Sequence, residues 1–106
     1  MEKRKPHYSL RRIPEIVRSN GADVFTKTAI ENSKEMGLTI DQAIDVVCSM
    51  PSGCFYKSMT TRASSTIWQD VYHPSTPTGR TAYVKVTLRE EGSIVVSFKE
   101  KSYEND

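Results

Sequence analysis

The apolar residues of this chain change their period near residue 55, and that change limits the fold more than any other feature. Before it, hydrophobic positions recur every three or four residues, as one face of a helix requires. After it they alternate, in runs rich in Thr, Val, Ile and aromatic residues, as half-buried strands require. Residues 55–61, 66–73, 82–88 and 93–99 read as strands. Arg89-Glu90-Glu91-Gly92 reads as a hairpin turn, and residues 74–80, with two prolines and Gly79, as a loop. Helices followed by a strand meander predict an α+β domain, with N-terminal helices packed on one face of a mainly antiparallel, twisted sheet. The other face is left open.

The helices are marked by their ends. Ile13, Ile16 and Val17 form an apolar stripe that stops at Asn20-Gly21, and Pro14 fits only in the first turn, which puts the start near Arg11 or Arg12. Residues 23–26 read as a short strand. Thr28-Ala29-Ile30-Glu31 has the form of a capping box, for a helix that closes at Met36-Gly37. Thr39-Ile40-Asp41-Gln42 repeats the device for a third helix carrying Ile40, Ala43, Ile44 and Val47, ended by Pro51.

With 106 residues, no internal repeat and no low-complexity linker, the chain is expected to form one domain, residues 1–106, with 102–106 as a flexible tail. A charged fraction of 26% against 37% apolar residues describes a globular protein, and no stretch is long and apolar enough for a membrane span or a signal-peptide core. The expected location is the cytoplasm. Cys48 and Cys54 have the spacing of neither a zinc knuckle nor a redox pair, so free thiols and no structural metal are expected, with Cys48 a small core residue. The net charge of +2 says less than its distribution. Lys3, Arg4, Lys5, Arg11, Arg12 and Arg18 crowd the first twenty residues, either as a solvated tail and helix face or as phosphate contacts.

Lysines recur on the strands: Lys57, Lys85 and Lys99. They either solubilise the open face of the sheet or hold a polyanion there. By parity, Tyr83, Lys85 and Thr87 oppose the apolar Ala82, Val84, Val86 and Leu88, and Lys99 opposes Ile94, Val96 and Phe98. Lys57, in phase with Phe55 and Met59, and Gln69, in phase with Ile67 and Val71, reach the same face only through a bulge, a twist or a place near a strand end. Trp68 and Tyr72 share a strand face and read as packing residues; Asp41 and Asp45 read as the wet side of the third helix. His7 and His73 have no partner pattern and read as surface or loop residues, His73 being nearer the lysines.

Tyr56-Lys57-Ser58-Met59-Thr60-Thr61, Thr66-Ile67-Trp68-Gln69-Asp70-Val71-Tyr72 and Val96-Ser97-Phe98-Lys99-Glu100-Lys101 strongly resemble the MqsR (motility quorum-sensing regulator) toxins of type II toxin–antitoxin systems. The similarity runs from Lys3 to about Lys101 and includes Pro6-His7. The loops at 74–80 and 89–92 look slightly longer than the family pattern, and Pro14 is unusual for its first helix. The resemblance implies a fold similar to the RelE and YoeB toxins and a ribosome-independent endoribonuclease that cleaves mRNA at short GC-containing sites. It places the active-site positions on Lys57, Gln69, Tyr83 and Lys99. Beside them Lys85, His73 and Arg80 are expected RNA contacts, and with no His, Asp or Glu cluster near the lysines no metal or cofactor is expected. It also implies a cognate antitoxin with a zinc-binding N-terminal part and a DNA-binding C-terminal part, so that the toxin itself is not expected to bind DNA.

These residue types suit metal-free cleavage, in which the substrate's 2′-hydroxyl attacks phosphorus and leaves a 2′,3′-cyclic phosphate and a 5′-hydroxyl. Lys57 and Lys99 can stabilise phosphorane charge, Gln69 can position a phosphate or base edge, and Tyr83 can take a proton or stack under a nucleotide. Free phenols and ammonium groups titrate near pH ~10, so the proton acceptor is left open, though a cluster of cations lowers both. A non-catalytic module that binds nucleic acid or a partner protein is the alternative. An exposed sheet edge would offer such a partner, or the antitoxin, a place to add a strand.

Overall fold

In the computed structural model, which describes residues 1–89 and 91–102, the helices are α1 (Arg12–Asn20), α2 (Lys27–Glu35) and α3 (Ile40–Cys48). The strands are β1 (Glu2–Lys3), β2 (Phe55–Thr60), β3 (Trp68–Tyr72), β4 (Ala82–Leu88) and β5 (Ile94–Glu100). The strands form one antiparallel sheet in chain order, β1-β2-β3-β4-β5, with helices over one face. The α+β class read from the period change is the class found. Residues 103–106, most of the expected tail, and Glu90 of the expected hairpin turn lie outside the described residues. On either side of Glu90 the turn is closed by Arg89 N–H to the Ser93 carbonyl at 2.8 Å and Gly92 N–H to Arg89 at 2.9 Å.

α1 begins at Arg12, and Pro14 sits in its first turn, where a missing N–H costs nothing. Its Ile13 and Val17 face inward and are buried. α3 has the capping box its sequence predicts: Thr39 Oγ1 accepts from Gln42 N–H at 3.1 Å and Gln42 Oε1 accepts from Thr39 N–H at 2.9 Å. α2 corrects its sequence reading. The cap is Thr26, whose Oγ1 accepts from Ala29 N–H at 3.0 Å, and Thr28 lies inside the helix. A cap needs extended backbone, and Thr26 has it (φ −68°, ψ 158°). With no Glu or Gln at the third helical position, this cap leaves no capping-box pattern to read. Gly37, at φ +80°, then lets Leu38 N–H reach back to the Ser33 carbonyl at 3.0 Å and closes the helix.

The short strand expected at 23–26 is absent as such. Residues Gly21–Val24 form a 3₁₀ turn, and Phe25 alone bridges Val96 in parallel. Val24 and Phe25 are apolar because they are buried, not because they pair in a ladder. This segment covers the outer margin of β5: Thr26 N–H bonds Val96 O at 3.1 Å, and the Asn32 amide of α2 bonds Phe98 O at 3.0 Å. The helix-facing side of the sheet carries Ala82, Val84, Val86, Val96 and Phe98, which meet Val17, Ala29 and Val47 in one buried cluster. Each such valine contributes about 1.5–3 kcal/mol by leaving water.

A strand that sequence reading assigned to the basic tail, β1, pairs with Met59 and Ser58 of β2. It is tied down through Asp70, a fully buried carboxylate on the helix-facing side of β3. Asp70 accepts from His7 N–H at 2.9 Å and 3.0 Å, from Tyr8 N–H at 2.8 Å and from Ser58 Oγ at 2.7 Å. The Tyr8 hydroxyl bonds Trp68 O at 2.6 Å, and the His7 ring stacks on Trp68 at 5.3 Å. Replacing Asp70 with Asn would leave one acceptor oxygen among three donors and face an NH₂ toward the rest. Asp70→Asn is expected to cost about 2–4 kcal/mol, read as a lower urea midpoint, and to speed tryptic cutting at Lys3 and Arg4.

Candidate active site

Directly paired residues on neighbouring strands share a face, so the register lays out the open side of the sheet in rows. One row pairs Tyr83 with Lys99. The next runs Lys57, Val71, Lys85, Ser97, and a third Met59, Gln69, Thr87, Val95, extended by Glu2 beside Met59. All of Lys57, Gln69, Tyr83, Lys85 and Lys99 therefore lie on one face.

Lys57 arrives there by a bulge. Phe55 pairs with Tyr72 but Lys57 pairs with the adjacent Val71, so Tyr56 is an extra residue in β2. The extra residue puts Phe55 on the helix side, edge-on to Tyr72 at 5.5 Å, and Lys57 on the open side. Gln69 needs no irregularity. Its strand is simply inverted relative to hydrophobicity: Asp70 points inward, and Val71 lies outward between Lys57 and Lys85. Gln69 Nε2 donates to Thr87 Oγ1 at 3.1 Å, which fixes its amide.

The first row is longer than the lysine pattern suggests. His73 stacks on Tyr56 at 4.5 Å and lies against Tyr83 at 5.3 Å, so the three rings line one end of the face. Lys57 Nζ is 5.3 Å from the Tyr56 ring and Lys99 Nζ 5.2 Å from Tyr83, within cation–π range. The Arg4 guanidinium, 5.6 Å from Tyr56, also donates to the Tyr56 carbonyl at 3.4 Å. The N-terminal basic cluster is thus divided. Arg4 borders this face, Lys3 sits over Trp68 at 4.2 Å, and Arg18 pairs with Asp45 at 3.6 Å. A notch of about 160 Å³ opens beside Tyr83, Lys85 and Lys99 against α2, and a cleft of about 480 Å³ opens behind His73 between α3 and the 74–77 loop.

The charges on this face perturb one another. Burial pulls the Lys57 ammonium toward neutrality, but Glu2, with Oε1 3.1 Å away, prevails and leaves its pKa above the ordinary lysine value. Lys85 is lowered, by burial first and by Lys99 second. His73 is lowered by burial, then by Lys101 and Lys57. Its Nε2 is buried with no hydrogen-bond partner among the described residues. Arg80 lies elsewhere: its guanidinium pairs at 3.0 Å with Glu100, which is level with Ala82 on the helix side. Cys48 and Cys54 are free thiols, both raised chiefly by burial. No group of three His, Cys, Asp or Glu residues able to hold a metal occurs among the described residues.

Sequence reading missed Glu2, Arg4 and Tyr56 as members of this face. For Tyr56 the signal was present, since a strand that must turn Lys57 outward needs a surplus residue next to it. Glu2 and Arg4 gave none, because nothing local marks a two-residue strand.

An open sheet face bearing ammonium groups, a fixed amide and stacked rings has the chemistry that suits a nucleic-acid strand. The family model described as motility quorum-sensing regulator, toxin of MqsA, matches residues 5–100. The mRNA interferase toxin MqsR of Escherichia coli (strain K12) is 43% identical over 101 residues, which cover 95% of this chain and the whole of that protein. The chain belongs to the MqsR toxin family.

The lowered His73 pKa fixes the sign of a pH effect. Below about pH 6.5 the unfolded chain takes up a proton at this position that the folded chain resists, so stability falls as pH falls through that range. Thermal melts between pH 7.5 and 5 should show that fall in the wild type and a smaller one in His73→Phe, which keeps the ring stack. Parallel pH dependence in the two proteins would contradict the assignment.

Proposed function

We propose that this chain is the endoribonuclease toxin of a toxin–antitoxin pair, cutting mRNA without the ribosome at short GC-containing sites through attack by the substrate's own 2′-hydroxyl. The observation that carries the reading is the convergence of Lys57, Lys85, Lys99, Gln69 and Tyr83 on one open face in a member of this toxin family. The relative's name, mRNA interferase toxin, supports the activity and the substrate.

The chemistry follows from the charges. A scissile phosphate across the lysine rows gains negative charge as the 2′-oxygen bonds to phosphorus. Ammonium groups at Lys57 and Lys99 then attract it more strongly in the transition state than in the ground state. Lys85, whose ammonium is weakened by burial and by Lys99, is the better proton donor to the departing 5′-oxygen. Gln69, held by Thr87, presents a neutral amide to a phosphate or base edge. Tyr56, His73 and Tyr83 offer ring surface for an unstacked base. Among its described strand residues this face offers ammonium, phenol and amide groups and the single carboxylate of Glu2, where a magnesium-dependent nuclease would gather several carboxylates, which supports a metal-free route.

The partner is an antitoxin, as the family description, toxin of MqsA, implies. We take it to carry a zinc-binding N-terminal part and a DNA-binding C-terminal part, so that the toxin alone does not bind DNA. With the β5 margin occupied by Phe25, Thr26 and Asn32, strand addition by that partner would fall on the β1–β2 side. No helix among the described residues is long and apolar enough to cross a membrane, in keeping with action on mRNA in the cytoplasm by residues 1–106 as one domain.

Single-turnover cleavage and RNA affinity, measured with chelator present, test the mechanism. Lys57→Ala and Lys99→Ala should each slow cleavage by about 10²–10³-fold while changing affinity much less. Lys→Arg should restore part of the rate, since a planar guanidinium does not reproduce a compact ammonium. Equal losses in both measurements would reduce the lysines to holding contacts. Abolition by EDTA would remove the metal-free route, and tight binding without new 5′-hydroxyl ends would favour a non-catalytic binding module.

A further inference from the structure

We propose that Glu2 is a catalytic residue of this face, the carboxylate that accepts the 2′-hydroxyl proton; this rests on the endoribonuclease reading above. Cleavage by an internal nucleophile needs a proton acceptor at neutral pH, and phenols and ammonium groups keep their protons there. The described strand residues on the open face are Glu2, Lys57, Met59, Gln69, Val71, Tyr83, Lys85, Thr87, Val95, Ser97 and Lys99, and Glu2 is the carboxylate among them. The nearest others are turned away: Asp70 is buried on the helix side, and Glu100 pairs with Arg80. His73 is closed in, with Nε2 buried and its ring between Tyr56 and Tyr83.

The placement of Glu2 is built rather than incidental. Pairing of Glu2 with Met59 puts its side chain on the open face, and β1 is held in register by the bonds from His7 and Tyr8 to Asp70. The carboxylate then meets Lys57 Nζ at 3.1 Å, with its own side chain 56% exposed while that of Lys57 is 11% exposed. An anion here weakens the attraction of Lys57 for RNA in the ground state. Its fixed place beside the Lys57 ammonium sets it next to a phosphate held there.

With a phosphate on Lys57, the adjacent carboxylate reaches the ribose beside it. Glu2 takes the 2′-hydroxyl proton as the 2′-oxygen bonds to phosphorus. The phosphorus–O5′ bond breaks, and the 5′-oxygen takes a proton from an ammonium on the same face. Glu2 then gives its proton to solvent and the amine takes one from solvent, which restores both groups. Nothing is oxidised or reduced, and the products are a 2′,3′-cyclic phosphate and a 5′-hydroxyl.

The test compares wild type, Glu2→Gln and Glu2→Asp in single-turnover cleavage of a defined RNA and in affinity for the same RNA with 2′-deoxy substitution at the cut. Glu2→Gln should lose about 10²–10⁴-fold in rate while binding as tightly as wild type or tighter. Glu2→Asp, with a shorter reach to the same chemistry, should keep an intermediate rate. Glu2→Gln cleaving at the wild-type rate or faster would overturn the proposal, as would parallel losses in rate and affinity. An inactive wild type would instead overturn the nuclease reading itself. Circular dichroism melts of each variant establish folding, and a Glu2→Gln protein that fails to fold leaves the rate of Glu2→Asp to decide: a wild-type rate there overturns the proposal.

Discussion

A carboxylate sealed from water must be hydrogen-bonded or it destabilises the fold, and Asp70 meets that demand with partners from two distant parts of the chain. Ser58 binds it from the neighbouring strand, and the backbone of His7 and Tyr8 binds it from the N-terminal arm. Removing the charge would leave those donors unpaired in the interior, so the cost is asymmetric: little net gain when made, a large loss when broken. The result is an arm held in one register by a buried anchor. The arm carries Glu2 to one side of the sheet and Lys3 to the other, so inward satisfaction of Asp70 sets what the outward face presents.

That outward face holds like charges close together. Burial and then Lys99 disfavour the Lys85 ammonium, and burial, then Lys101 and Lys57, disfavour a proton on His73. Aromatic rings between them offset part of the repulsion, with the ammonium groups of Lys57 and Lys99 lying over Tyr56 and Tyr83.

The sheet, the helices and most of their ends were legible because each has a local physical cause. Thr39 and Gln42 satisfy each other's backbone, and alternation in residues 82–88 follows from burial on one side. What escaped was tertiary. Thr26 caps α2 without a reciprocal side chain, and Phe25 owes its burial to the sheet margin rather than to a strand. At 66–73 the usual equation of apolar with inward fails, because Asp70 is satisfied inside and Val71 sits outside between lysines. The candidate site was legible as residue types, since Tyr83, Lys85 and Lys99 share parity. Lys57 and Gln69 came through resemblance, and Glu2 belongs to a pairing across more than fifty residues that no local pattern records.

The surplus residue in β2 has a consequence for how this chain tolerates changes of length. In a regular strand, gaining or losing one residue turns every later side chain over. Here Tyr56 absorbs that count: Phe55 faces the interior with Tyr72, while Lys57 faces the open side with Val71 and the strand alternates from there. An insertion or deletion in the connection between α3 and β2 can be taken up at this joint without rotating Lys57 out of place. The joint uncouples the history of the helical layer from the constancy demanded of the lysine rows, and lets one drift while the other stands.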